Sequence, residues 1–482
     1  MDIELEYGEP IQKPVSRCRK RSKLQIFKEA YLPLIIVVVT LVLTVIFIVG
    51  GIRRGTSADN PTESTPPSQS TQPSESSSST TEDPNWELQL KAEELMAQAA
   101  LLLDDYDYAG ALAILDTFPG DRTLFPQLNA VYNEYQEALD SMVAWQGSQV
   151  MNLSFHLLIA DPERAFNDDV YGRQYRNNFI TTTEFSAILQ QLYDNNYILV
   201  SLSDLYELVQ DESSGRNIYV AKTLLLAPGK TPILLTETNA NYYTYMTDSN
   251  GDGKPDAGAD GFAYKLCYDG SKFFNEYVMS DGTVTTGAYD MVPLLEEFIE
   301  KHPDFSYRDA RAIIAFSGYD GVLGYRINST KLTPAQQEEE KQALVALVEA
   351  LRNTGYEIAS YTFGNKNYAD LNEEDICNDL QKWEDNITSV IGNVDILVLP
   401  KEGNIAGNDE TLDANHKFNI MKNFGFSFFL GTGTTAWDQV DEFYVRHDRL
   451  MVTGEYLRKY PDRFTILFDA EAVLDPYRAN FG

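Results

Sequence analysis

From about residue 150 the chain alternates short apolar runs with amphipathic ones, and this restricts the fold more than any other feature of its 482 residues. The runs VMNLSFHLLI (150–159), YILVSL (197–202), TPILLTE (231–237) and AIIAFSG (312–318) read as strands buried on both faces. So do YEIASYT (356–362), DILVLP (395–400), FSFFLGT (426–432) and FTILFD (464–469). Helical stretches lie between several of them, such as TTTEFSAILQQLYDNN and EEEKQALVALVEALRNTG, the second closing on Gly355. Seven or eight strands separated by helices over about 330 residues predict an α/β fold, a distorted (β/α) barrel with its site at the strand C-terminal ends.

The segments before the barrel differ in kind. Residues 1–30 hold the basic stretch KPVSRCRKRSKLQIFK, and residues 31–52 are an uncharged apolar run, YLPLIIVVVTLVLTVIFIVGGI. That run is long enough to span a bilayer, and the basic flank predicts a cytoplasmic N-terminus. Gly50, Gly51, Arg53 and Arg54 follow instead of a small-residue cleavage site, so the run is expected to stay as a single transmembrane anchor. The rest of the chain is then extracellular, at a bacterial cell surface. Residues 53–85 are Ser-, Thr- and Pro-rich and read as a disordered stalk that gives the domain reach. Residues 86–147 form a helical collar, with Leu88, Ala92, Leu95, Ala99 and Leu102 at helical spacing. DYDYAGALAIL within it resembles one tetratricopeptide-type helical pair, too short for a solenoid but able to dock a protein partner. The barrel domain occupies 148–482.

Charge removes one class of partner. With 38 Lys and Arg against 72 Asp and Glu, the net charge is -34, which excludes nucleic acid, whose phosphates need basic neutralisation. Such an excess suits a soluble, surface-exposed domain. Three cysteines, Cys18, Cys267 and Cys377, do not make a disulfide scaffold. A Cys267–Cys377 bridge and two buried free thiols both remain open.

Four stretches in order carry a family resemblance. LSFHLLIADPERAF ends an early strand on Phe155-His156, and TTTEFSAILQQLYDNNYILVSLSDL supplies a helix and the strand after it. TPILLTETNANYY ends a strand on Thr238-Asn239, and ALVEALRNTGYEIASYTFGN ends one on Tyr361-Thr362-Phe363-Gly364-Asn365. Over roughly 150–475 the chain resembles the polysaccharide deacetylase (NodB homology) family. In that family an Asp pair and two His build a metal site at these strand ends. The metal polarises an acetyl carbonyl and acidifies its water, while the first Asp takes the proton. The resemblance puts the base position on Thr238, the ligand Asp on Asn239, and the two His on Tyr361 and Asn365. His156 matches the opening His. None of the four substituted side chains offers the charge or softness of the carboxylate or imidazole it replaces, so no transition metal is expected.

Other motifs depart as well. ILVLPKEGN keeps Pro400 but lacks the Arg that precedes it in the family. Only four His exist, at 156, 302, 416 and 447, and His447 in YVRHDRL is either a late catalytic residue or a loop-surface one. Strand alternation turns Glu237 away from Thr236 and Thr238, so it is a poor replacement base. Asp168-Asp169, after a loop-like segment, reads as a surface acidic pair. A separate stretch, TDSNGDGKPDAGADG (247–261), sets Asp248, Asn250, Asp252 and Asp256 at alternating positions that supply oxygens to calcium. Ala259 stands where an EF-hand needs Glu. The stretch therefore resembles the Asp-rich loops of extracellular modules, or is a solvated turn. Calcium is the one cofactor expected.

The leading expectation is a membrane-anchored, surface-exposed member of this family. It would bind cell-wall or surface glycan through Tyr242, Tyr243, Tyr245, Tyr361 and Phe363, with metal-dependent catalysis lost or reduced. Two alternatives stand beside it. One is an active carbohydrate deacetylase with a rebuilt site, and the other is a scaffold whose collar recruits wall-synthesis proteins.

Overall fold

A computed structural model describes residues 85–103, 106–167, 170–247 and 260–481. The apolar run 31–52, the stalk and the Asp-rich stretch with Asp248, Asn250, Asp252 and Asp256 lie outside these residues, as do Asp168 and Asp169. Among the described residues no helix is long and apolar enough to cross a membrane.

Seven strands close into a parallel ring. They are β1 Met151–His156, β2 Thr231–Thr238, β3 Ile313–Phe316, β4 Glu357–Ser360, β5 Ile396–Val398, β6 Phe428–Thr432 and β7 Val445–Met451, each paired to the next and β7 back to β1. The longer helices begin with three ahead of the ring, α1 Trp86–Leu101, α2 Tyr108–Leu115 and α3 Pro126–Ser141, followed by α4 Val170–Asn178 and α5 Thr182–Asp194. Then follow α6 Met291–Lys301, α7 Pro334–Thr354, α8 Glu373–Trp383, α9 His416–Asn423 and α10 Gly454–Lys459. Buried apolar side chains alternate between two clusters. Leu234, Ile313, Ala315, Ala359, Val398, Leu430 and Val445 fill the ring, whereas Leu153, Ile233, Leu235, Ile314 and Phe429 pack outward on the helices. Two-sided burial explains why these strands read as unbroken apolar runs.

The ring differs from the expected one in two strands. YILVSL does form a strand, Tyr197–Leu199, but it pairs with Thr231–Ile233 of β2, on the edge that β3 occupies further along, and stays outside the ring. FTILFD is no strand. Phe464, Leu467 and Phe468 are buried while Ile466 is 70% exposed, which is the spacing of helical turns rather than of a pleat. The seventh strand is VRHDRLM, expected to be a loop around His447. It is buried throughout, and His447 and Arg449 point into the ring. Three charged residues and a His made a core strand look like surface.

Ring closure between β7 and β1 rests on two register pairs, Leu450 with Leu153 and Met451 with Ser154. Beside the earlier part of β7 lies the antiparallel strand Asp438–Val440. The last residues are latched nearby. Arg478 clasps Glu184 of α5, with Nη2 donating to Oε2 at 2.8 Å, and both side chains are at most 2% exposed. Glu184 also accepts from Thr181 N at 2.8 Å, so one carboxylate caps α5 and holds the chain terminus.

The collar docks directly on the barrel. α1 to α3 bury Leu95, Ala99, Leu112, Leu115 and Leu128 among themselves. Strand Val143–Trp145 then pairs with Leu224–Leu226, Tyr106 stacks on Tyr307 at 5.6 Å, and its hydroxyl donates to the Asp304 carbonyl at 3.0 Å. Cys267 carries a free thiol, so the Cys267–Cys377 bridge is not formed.

Candidate functional site

A cleft of about 400 Å³ opens at the C-terminal ends of the ring strands. His156 from β1, Asn239 after β2, Tyr361 and Asn365 after β4, Lys401 after β5 and Arg449 of β7 line it. The turns that aim these groups are unusual. Asn239, Thr362, Asn365, Lys401 and Glu402 all have left-handed backbone, with φ of 58°, 60°, 50°, 57° and 55°. For a β-branched residue such as Thr362 that is a costly conformation, and strain of this kind concentrates at ligand sites. Thr362 is held there by its Oγ1, which accepts from Lys366 N at 2.7 Å.

The site positions read from the sequence come together here. Asn365 Nδ2 donates to Asn239 Oδ1 at 3.2 Å, and Tyr243 OH donates to the same oxygen at 3.1 Å. Thr238 Oγ1 sits 2.7 Å from His156 Nδ1 and 2.9 Å from the Phe155 carbonyl. Thr238 has one hydroxyl proton, and the carbonyl can only accept it. His156 Nδ1 is then the donor to Thr238, and Nε2 carries the lone pair. Burial, with the Arg449 charge behind it, pushes His156 down to about 4, so its imidazole is neutral at pH 7. Thr238 is fully buried, and its hydroxyl stays protonated. Burial likewise raises Tyr361, so its phenol keeps its proton.

One imidazole, two amides and a neutral phenol fit a divalent transition metal poorly. Among the described residues no group of three or more His, Cys, Asp and Glu could hold an ion. What the cluster can do is donate and accept hydrogen bonds to a neutral polar ligand.

Several residues singled out in the sequence lie elsewhere. Glu237 faces outward, away from Thr238, and meets Asp290 behind the strand. Burial pushes both carboxyls above their ordinary range, and the Asp290 charge adds to the shift of Glu237. Tyr242, expected on the glycan surface, is 2% exposed and joins this network, its hydroxyl accepting from Asn275 Nδ2 at 3.0 Å. The left-handed turns at Asn239 and Tyr242 reverse the chain, so strand alternation does not extend to residue 242. Phe363 packs half-buried on the outer core, and a Cβ on Gly318 would run into its ring. His447 is fully buried further down the ring, Nδ1 at 2.9 Å from the Asp448 carbonyl, so it is neither a loop residue nor within reach of the cleft.

Beyond Tyr243, aromatic rings continue toward solvent. Tyr245 stacks on Tyr243 at 5.7 Å and on Tyr171 at 6.2 Å, while Tyr319 lies 6.3 Å from Tyr243. Tyr171, Tyr245 and Tyr319 are 49%, 48% and 54% exposed. Tyr171 escaped the sequence reading because it lies on a helix far from any strand end, Tyr319 because no motif marks the turn just after the run 312–318, and Arg449 because its strand was missed.

Fold and cleft define a closed (β/α) barrel with a neutral, hydrogen-bonded cluster at its mouth. No family model matches the chain, and no curated protein does. Among solved structures it is similar to Streptococcus pyogenes deacetylase PplD in complex with acetate, at TM-score 0.30 and 12% identity, over 65% of this chain and 94% of that one. At that level of likeness the chain's own geometry has to carry the functional argument.

Proposed function

We propose that this protein is a saccharide-binding barrel of the polysaccharide deacetylase type, holding cell-wall or surface glycan without metal-dependent hydrolysis. The observation that carries the reading is the half-exposed row Tyr171, Tyr245 and Tyr319, which leads through Tyr243 to the neutral cluster at Asn239. Aromatic faces pack on sugar rings, and the amides and phenol offer both donors and acceptors to hydroxyl and acetamido groups. Thr238, in the base position, cannot take a proton at neutral pH. In this reading the apolar run 31–52 anchors the chain, residues 53–85 set the barrel's reach into the surface layer, and the collar is free to dock a partner. Calcium at Asp248, Asn250, Asp252 and Asp256 would brace the loop that follows the tyrosines.

Titration of chitin- and peptidoglycan-derived oligosaccharides tests the proposal. Tyr245→Ala should weaken binding about tenfold, the effect of about 1.4 kcal/mol, with the fold unchanged by circular dichroism. Undiminished affinity in Tyr245→Ala and Tyr171→Ala would overturn it, as would release of acetate by the wild-type protein.

A further inference from the structure

We propose that the ligand is acidic, a saccharide bearing a carboxylate that binds the guanidinium of Arg449. The inference rests on the saccharide reading of the cleft and names the class of sugar it takes. Arg449 is 1% exposed, points into the ring, and lines the floor of the cleft. A guanidinium cannot shed its proton in a protein, so a buried one stays charged and calls for an anion. Its hydrogen-bond partners here are neutral, Tyr361 among them, and the nearby Asp448 and Glu402 carboxylates make no ion pair with it. Nη1 donates to Ser154 Oγ at 3.0 Å and to Met451 Sδ at 2.8 Å, Nη2 donates to the Leu399 carbonyl at 2.6 Å, and Nε has no partner. Among the described residues no carboxylate forms an ion pair with it. Arg478, the other arginine buried to this degree at 3%, is clasped by Glu184. Arg478 thus has a carboxylate in direct contact, whereas Arg449, at the cleft floor, has none.

The rest of the lining suits a sugar carrying one acid group. Lys401 stands at the rim and adds a second positive charge. Glu402 and Glu455 also line the cleft, where carboxylates can accept hydrogen bonds from sugar hydroxyls. His156 is neutral and offers Nε2 as an acceptor, so it does not compete for the anion.

Calorimetric titration of the full-length protein in detergent compares a glucuronate-containing disaccharide with the same disaccharide in its neutral glucose form. The acidic sugar should bind at least tenfold tighter, and the advantage should shrink as salt rises. In protein labelled at arginine nitrogens, the Arg449 Nε–H resonance should move with the acidic sugar and stay in place with the neutral one. That readout uses the wild-type protein, with Arg449→Lys needed only to assign the signal. Equal affinity for the two sugars with an unmoved Nε–H overturns this inference and leaves the saccharide reading standing. Binding of neither sugar overturns both.

Discussion

Replacing Arg478 by Met should be the most damaging single change in the chain's last turn. The guanidinium meets Glu184 through two nitrogens and donates further to the carbonyls of Arg176 and Phe179. Met fills comparable volume but leaves Glu184 a fully buried, uncompensated carboxylate. Breaking such a pair from one side costs about 3–5 kcal/mol, most of it the penalty of the stranded charge. Glu184→Gln in the Arg478→Met background removes that charge while keeping a side chain able to cap α5, so the double variant should recover about half the loss. Equilibrium urea unfolding at pH 7 measures both effects. A loss below about 1 kcal/mol in the single variant, or an equal loss in single and double variants, would refute the argument that charge compensation holds this terminus.

Three further outcomes are expected. Burial raises Glu357 to about 7, so the group favours folding fully below its ordinary value near 4.5, and that contribution is lost as pH climbs through 7. Glu357→Gln should flatten the fall in melting temperature between pH 4.5 and pH 8, a difference of at most about 3 kcal/mol, read by differential scanning calorimetry. Tyr106→Ala removes the stacking on Tyr307 and the bond to Asp304, and should cost about 1–2 kcal/mol with earlier proteolysis of residues 86–141. Purified protein dialysed against zinc should retain no stoichiometric metal by mass spectrometry of the ash. One tightly held ion per chain would overturn the reading of Asn239, Tyr361 and Asn365.

Six of the seven ring strands were legible as apolar runs because a parallel barrel buries both faces of each strand. β7 was not, since His447 and Arg449 fill the ring interior with polar groups that no periodicity rule expects there. The pattern of Tyr197–Leu199 identified a strand but could not say that it shares an edge of β2 with β3 instead of entering the ring. At the site, the positions Thr238, Asn239, Tyr361, Asn365 and His156 were picked out by the motif resemblance, and the parallel ring brings their strand ends to one mouth. Directions beyond the strand ends were not. Tyr242 turned into the core through left-handed backbone that a non-glycine sequence gives no reason to expect. Tyr171, Tyr245 and Tyr319 meet only through the fold.

The two-rung seam between β7 and β1 sets an order of events during synthesis. Met151 emerges from the ribosome 300 residues before Met451, and until the second arrives the first strand has one ring neighbour instead of two. Every other strand can find its neighbours as the chain lengthens, but this junction waits for the end, and the Arg478 clasp waits longer still. The final rungs at Leu450 and Met451 and the clasp at Arg478 are thus the last elements to arrive, and they complete the fold together.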